Sequence, residues 1–454
     1  MQKDETKRTS STTPLATEPI GTLLVRLSLP SMIALLVNSM YQVVDTIFVG
    51  RSVGPVAIAA LGITLPIHMI ITATALMFGI GAASIVSRKL GASEFGDAAQ
   101  AAGNAIAATL IFVSLIAATF LCFLDPLLRG FGASEAVLPY AKDYLGILLI
   151  GAPFAAIISS SNAIIRSEGR AKVAMAVILI GNGINGILDP LFIITFGWGI
   201  RGAAIATVIG QAAGTLYILR HFATRRTSIR FTRHAFKFHW PTVLAIVVLG
   251  FPTIIRQAGT SIMMLSVNTK LGIYGGDIAI AAYGLIGVLA MFLNMPISGV
   301  VQGFQPIVGY NHGAHRTDRV MSALRKSMIT TTVMGLVFML AVMIMPKMIL
   351  SLFTRNVELL ASSTSAIRIV LATVPLIGIQ TIGAAYFQSI GKAVPSLSLW
   401  LIRQFLLMIP LVLFLPGFLG VQGVWLAFPM ADCLATVFTI LWVRSEIRNT
   451  LRLS

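Results

Sequence analysis

Acidic residues are scarce in this chain, with 16 Asp and Glu among 454 residues against 33 Lys and Arg. Charged side chains make up 11% of the sequence, where a soluble chain carries roughly 25%. So few charges cannot cover a soluble body of this size, which excludes a soluble enzyme. The 56% hydrophobic content and mean hydropathy of +0.89 exclude a disordered chain. Cysteine is nearly absent. Cys122 and Cys433 both lie in apolar runs, so neither a disulfide framework nor a cysteine metal site is expected. No histidines stand at metal-ligand spacing, and His234 and His239 lie in a basic loop without an acidic partner. No catalytic set is present, and the chain is read as a non-enzyme whose main solvent is lipid.

What the chain has in quantity is long apolar runs. A hydrocarbon core of about 30 Å needs about 20 apolar residues as a helix. Twelve segments qualify: 26–50, 56–80, 98–121, 137–165, 171–195, 199–221, 242–270, 278–305, 320–345, 357–388, 395–416 and 420–444. They are rich in Gly, Ala and Ser, which let helices approach closely in lipid. The basic residues are unevenly divided. Twenty-three fall in the tails and even-numbered loops and 8 on the opposite side, which predicts that both termini are cytoplasmic. The net charge of +17 is therefore mainly a topology signal. The densest basic stretch, Arg220 to Lys237, suits anionic lipid headgroups better than nucleic acid.

An internal repeat organises the spans. At an offset of 222 residues Pro30 falls on Pro252, Ala57–Ala60 on Ala279–Ala282 and Gly91-Ala92 on Gly313-Ala314. From 30 to 92 there are 16 identities in 63 ungapped pairs. Farther on, Pro153, Ser167 and Gly169 meet Pro375, Ser389 and Gly391. Each half holds six spans, an even number, so the halves are parallel repeats with a substrate site expected between them near midplane. The expected fold is an all-α polytopic membrane protein of twelve transmembrane helices in two parallel-repeat six-helix bundles. Its organisation is read as a cytoplasmic tail (1–19), an amino-terminal bundle (20–221), a basic cytoplasmic linker (222–241), a carboxy-terminal bundle (242–445) and a second tail (446–454).

Several runs carry a family likeness. Pro30 with Asp45-Thr46-Ile47-Phe48-Val49-Gly50, then Ala60-Leu61-Gly62 and Pro66, resembles the opening of the multidrug and toxic compound extrusion (MATE) family. Leu188-Asp189-Pro190-Leu191 and the run Gln305 to Ala314 do the same. The likeness covers roughly residues 20 to 445. It implies a twelve-helix antiporter in a bacterial inner membrane that expels cationic and amphiphilic compounds, antibiotics included, in exchange for inward Na⁺ or H⁺. No organic cofactor and no protein or nucleic-acid partner is implied, and the chain is expected to act as a monomer among membrane lipids. The seventh span has no acid, and the tenth has only Glu358 at its mouth. That departs from NorM-like members and resembles the DinF-like and MepA-like branch, whose cation site lies in the amino-terminal half.

Three acids fall well inside spans: Asp45, Asp189 and Asp432. An ionisable group in lipid costs about 2.5–3.5 kcal/mol on insertion scales and points to function by default. Counting residues places Asp45 and Asp189 at similar depth in the outer half. Asn185, four residues before Asp189, shares its helix face, and Thr207 reaches comparable depth from the outer side. Their oxygens are hard ligands for Na⁺, and two close carboxylates also favour protonation. The branch pattern matches at Asp45, Asn185, Asp189 and Thr207 and implies H⁺ or Na⁺ binding there. Their repeat partners are Val267, Leu407, Leu411 and Pro429, so coupling is expected to be one-sided. Asp432 is read instead as a structural ion pair with Arg403 or Arg256, the other charges inside that half. Pro30 is read either as the point where the first helix bends when Asp45 is protonated or as a fixed kink. Polar and soft side chains proposed for the drug cavity are Asn38, Tyr41, Gln42, Met69, Gln257, Met264, Met291 and Asn294. His68 is read as a hydrogen-bonded core residue. The rival within transport is a lipid-linked oligosaccharide flippase of the same wider superfamily. It would need cationic residues for a pyrophosphate, and the amino-terminal half has no Arg or Lys well inside a span.

Overall fold

The computed structural model describes residues 14–224, 227–354 and 356–453. The start of the amino-terminal tail, Arg225 and Arg226 of the linker, and Ser454 lie outside them. Among the described residues, ten helices are long and apolar enough to cross a bilayer. One of these, Trp240–Gly313, is two helices meeting at Gly276, where φ is +63°. Counting it twice, and counting Val357–Val370 with Val374–Ser389 as one span bent by 49°, gives twelve. In chain order these are α1 (Ile20–Val53), α2 (Pro55–Gly91), α3 (Phe95–Cys122), α4 (Leu138–Ser167), α5 (Ala171–Thr195) and α6 (Gly199–Ala223). Then follow α7 and α8 (the two parts of Trp240–Gly313), α9 (Thr317–Ile344), α10 (the bent pair), α11 (Ala393–Leu419) and α12 (Val421–Leu453).

The repeat recurs in the backbone. Left-handed positions pair at the same spacing: Gly54 with Gly276, Ser93 with His315 and Gly169 with Gly391. Two short helices, Leu124–Gly130 and Pro346–Ser351, also correspond. They occupy segments read as loops, because a helix of two turns is too short for an apolar run to mark. The halves differ at one shared proline. Pro153 sits inside the unbroken α4, whereas α10 breaks over 371–373, just before Pro375. The segment read as a single span, 357–388, is therefore a bent pair of helices. Proline disfavours helical backbone before it, and at this break the Thr373 hydroxyl donates to the Asp432 carboxylate (3.1 Å).

The chain divides into two compact units, one running to Ile254 and including Gly309–Arg316, the other comprising Ile255–Val308 and the chain from Thr317. In the first unit Ile67, Ile71, Leu145 and Leu149 are core residues on α2 and α4. In the second, Val267, Leu271, Ile286 and Leu289 pack with Val424 and Trp425 of α12.

The basic segment after α6 is folded onto the first unit. Asn104, fully buried on α3, donates to the carbonyls of Ala235 and Lys237 (3.2 Å each) and accepts from the His239 amide (2.8 Å). Glu168, in the turn after α4, accepts from the Ser228 amide (3.1 Å) and pairs with Arg170 Nε (3.5 Å). Its other carboxylate oxygen is buried with no hydrogen-bond partner. Burial pushes this carboxyl up from 4.5 to about 7. A carboxyl raised on folding holds its proton in the folded state, so stability falls as pH rises from about 4.5 through about 7. Glu168→Gln keeps an acceptor for Ser228 and removes that cost, which is about 3 kcal/mol at full extent. Thermal unfolding of the detergent-purified protein should show the variant more stable than wild type at pH 8, with the difference fading by pH 5. Equal gains at both pH values would contradict this origin.

Candidate functional site

Packing in the first unit brings α1 against α5 and α6, and α5 against α6. The last pair meets at two glycines. A Cβ on Gly210 would stand 2.5 Å from the Gly181 carbonyl oxygen and 3.2 Å from Asn185 Cβ, so only glycine permits this approach. The contact lies one turn from Asn185 and three residues from Thr207, and it draws the two side chains together. Asn185 Nδ2 donates to Thr207 Oγ1 (3.2 Å), and the Thr207 hydroxyl donates to the Ala203 carbonyl (2.9 Å). After Asp189 the helix widens into one π turn over Pro190–Thr195, since Pro190 has no N–H for the regular ladder. Such turns are frequent at functional sites.

Asp45 on α1 is brought to the same place, and its carboxylate and that of Asp189 are close enough to act on each other electrostatically. Both acids and Asn185 are buried. Four of their oxygens have no hydrogen-bond donor: Asp45 Oδ1, Asn185 Oδ1 and both carboxylate oxygens of Asp189. A buried acceptor left without a donor costs about 1–3 kcal/mol, more for a charged group. A cluster of them in one place is a cost that a positive species would relieve. A bound proton would turn a carboxylate oxygen into a donor. Na⁺ would take the same oxygens as ligands, the amide oxygen of Asn185 included.

All four residues singled out in the sequence thus stand together. Two residues read as cavity lining make contacts from α1 to α6 and α5, the first of them to the cluster itself. Tyr41 Oη lies 3.5 Å from Thr207 Oγ1, and Asn38 Oδ1 accepts from Asn182 Nδ2 (3.2 Å). Tyr144 of α4 is within electrostatic reach of both acids. Neither Asn182 nor Tyr144 was legible beforehand, since an uncharged polar residue in an apolar span carries no distinguishing signal. Gln42 and Met69 are exposed on the first unit, and Gln257, Met264, Met291 and Asn294 are exposed on the second. Pro30 is buried within a continuous α1. His68 is only partly buried. In the second unit Arg403 Nε donates to Asp432 Oδ1 at 2.7 Å, the ion pair expected there.

The match to known proteins is as continuous as the repeat. The MatE family profile matches residues 30–191 and again 252–414, one copy per half. The chain belongs to the MATE family of transporters. Among its relatives, the multidrug export protein MepA of Staphylococcus haemolyticus is 26% identical over 94% of each chain. The MepA of Staphylococcus aureus strain N315 is 25% identical with the same coverage. A crystal structure of a MATE protein in a straight conformation superposes with TM-score 0.91 at 28% identity, covering 97% of this chain and 98% of that one. A bent conformation of a MATE protein superposes at 0.90, with 27% identity and 98% of each chain covered.

Proposed function

We propose that this protein exports cationic and amphiphilic drugs from the cell in exchange for inward H⁺ or Na⁺. The observation that carries the reading is the set of four undonated oxygens on Asp45, Asp189 and Asn185, with Thr207 and Tyr41 beside them. The names of the MepA relatives support drug export as the activity.

In the mechanism, the outward-open transporter binds its cation at Asp45 and Asp189, with Asn185 and Thr207 completing the oxygen set. Neutralising the two acids removes the attraction for a positively charged drug, which leaves to the outside. The emptied protein turns inward, releases the cation and takes up drug. The cation must bind one conformation more tightly than the other, or its gradient drives nothing. Pro30 gives α1 a point at which to bend as Asp45 is neutralised, and the bent and straight forms of a MATE neighbour are consistent with that use. Gln42, Met69, Gln257, Met264, Met291 and Asn294 are proposed to face the drug. The chain is a multi-pass membrane protein, placed by this reading in a bacterial inner membrane with both termini cytoplasmic, acting as a monomer on small molecules.

The test is efflux of preloaded ethidium from energised cells that lack their own pumps. Cells carrying the protein should clear the dye several-fold faster than cells without it, and a protonophore or removal of external Na⁺ should abolish the difference. No difference between the two cell lines would reject drug export and make flipping of a lipid-linked oligosaccharide the next reading to test.

A further inference from the structure

In the first unit acceptors outnumber donors. At one place in the second the reverse holds. Arg403 lies ten residues after Ala393 on α11, and Asp432 eleven after Val421 on α12. At about 1.5 Å per residue both are about 15 Å into their helices, near mid-bilayer. Asp432 is 2% exposed and fully engaged. Its Oδ1 accepts from Arg403 Nε (2.7 Å) and its Oδ2 from Thr373 Oγ1 (3.1 Å). Its backbone carbonyl accepts from Gln380 Nε2 (2.9 Å) and Thr436 Oγ1 (2.7 Å).

Arginine–carboxylate pairs are frequently bidentate, with the guanidinium forking both of the acid's oxygens. Here Thr373, at the break in α10, occupies the second oxygen, so the acid holds the guanidinium through Nε alone. The two terminal nitrogens of Arg403 have no hydrogen-bond partner among the described residues, and its side chain is 27% exposed. The π turn that carries it, Ile402–Met408, also leaves Gln404 Nε2 buried without an acceptor. Tyr283 lies near enough to feel the guanidinium charge, and its ring stands 5.9 Å from that of Phe428.

We propose that Arg403, positioned by Asp432 and Thr373, is a binding residue for the carboxylate of zwitterionic amphiphiles in the second unit. The inference rests on the drug-export reading and names a substrate class for it. A planar fork of two N–H groups matches a carboxylate, and the pair Tyr283–Phe428 offers an adjoining aromatic wall. Because Asp432 neutralises Arg403 overall, the arrangement accommodates a positive group on the same molecule.

The test is direct binding to the purified full-length protein in detergent, which does not depend on transport. The probes are norfloxacin, which carries both a carboxylate and an amine, and its methyl ester, which lacks the carboxylate. Arg403→Gln alone leaves Asp432 unpaired, so the main variant is Arg403→Gln with Asp432→Asn, accepted only if it is monodisperse. Norfloxacin affinity should fall about tenfold in the double variant, the 1.4 kcal/mol of a lost charged hydrogen bond. Ester affinity should be the same in both proteins. Unchanged norfloxacin affinity, a parallel loss for the ester, or no norfloxacin binding by wild type would each overturn the proposal. Ethidium efflux by wild-type protein, run alongside, separates failure of this site from failure of the export reading.

Discussion

Asp189→Asn is expected to abolish ion-coupled efflux while leaving the protein folded in the membrane. The carboxamide keeps the size of the side chain, but it cannot exchange a proton and offers one oxygen where the carboxylate offers two. Both Asp189 oxygens lack donors in the folded chain, so the amide N–H₂ also places a donor among acceptors, and the fold should if anything gain stability. Energised ethidium efflux should drop about tenfold or more, since the proposed mechanism draws its drive from differential cation affinity alone. Asp45→Asn should behave the same way. Asn185→Ala and Thr207→Ala, which remove a ligand but no charge, should cost less, about two- to fivefold. Asp432→Asn is the contrast. It weakens the ion pair that Asp432 makes with Arg403, so expression and thermal stability should fall while the ion dependence of the remaining efflux is kept. Efflux in Asp189→Asn cells equal to wild type at matched expression would remove the site from the coupling mechanism.

The second large effect is steric. Within the first unit, glycines of α2 face backbone of the Trp240–Gly313 helices in two reciprocal crossings. A Cβ on Gly81 would stand 2.0 Å from the Ile246 carbonyl oxygen, and one on Gly250 would stand 1.9 Å from that of Met77. Near the ends of the same helices, a Cβ on Gly91 would meet the Tyr310 oxygen at 1.9 Å, and one on Gly313 the Arg88 oxygen at 2.0 Å. Carbonyl oxygens cannot swing aside as a side chain can. Gly250→Ala and Gly91→Ala should therefore each destabilise the protein by about 3 kcal/mol, at the high end for overpacking. Gly62, on the same α2, has nothing within 4 Å of its Cβ position. Gly62→Ala should instead stabilise by up to about 1 kcal/mol through helix propensity. Thermal unfolding of the purified variants checks both, and a stable Gly250→Ala would mean the helices can separate there at little cost.

Much of this was legible in the sequence because lipid imposes simple rules. A span must be about 20 residues long and apolar, so the helix pattern was readable from composition along the chain, and the repeat from prolines and glycines in register. The meeting of these four side chains was readable because acids in lipid are rare and because depth can be counted: Asn185 and Asp189 share a face, and Asp45 and Thr207 reach the same level. What escaped reading has a common physical cause. In an apolar run a glycine facing lipid looks the same as Gly250 facing Met77, and an uncharged Tyr144 or Asn182 carries no cost that betrays its position. Glu168 lies in a turn, where an acid is ordinarily solvated, and nothing in the chain signals that the segment around Ser228 covers it. The break before Pro375 was equally hidden, since Pro153 at the corresponding point leaves its helix intact.

Export driven by one cation site in the first unit, as proposed, is tested by gradient-driven transport in proteoliposomes. Purified wild-type protein and Asp45→Asn are each reconstituted, and ethidium movement is followed under a pH gradient alone and then a Na⁺ gradient alone. Wild type should transport against the dye gradient under one of the two, which names the ion, and Asp45→Asn under neither. Concentrative transport by Asp45→Asn at the wild-type rate, or wild-type transport indifferent to both gradients, would contradict it.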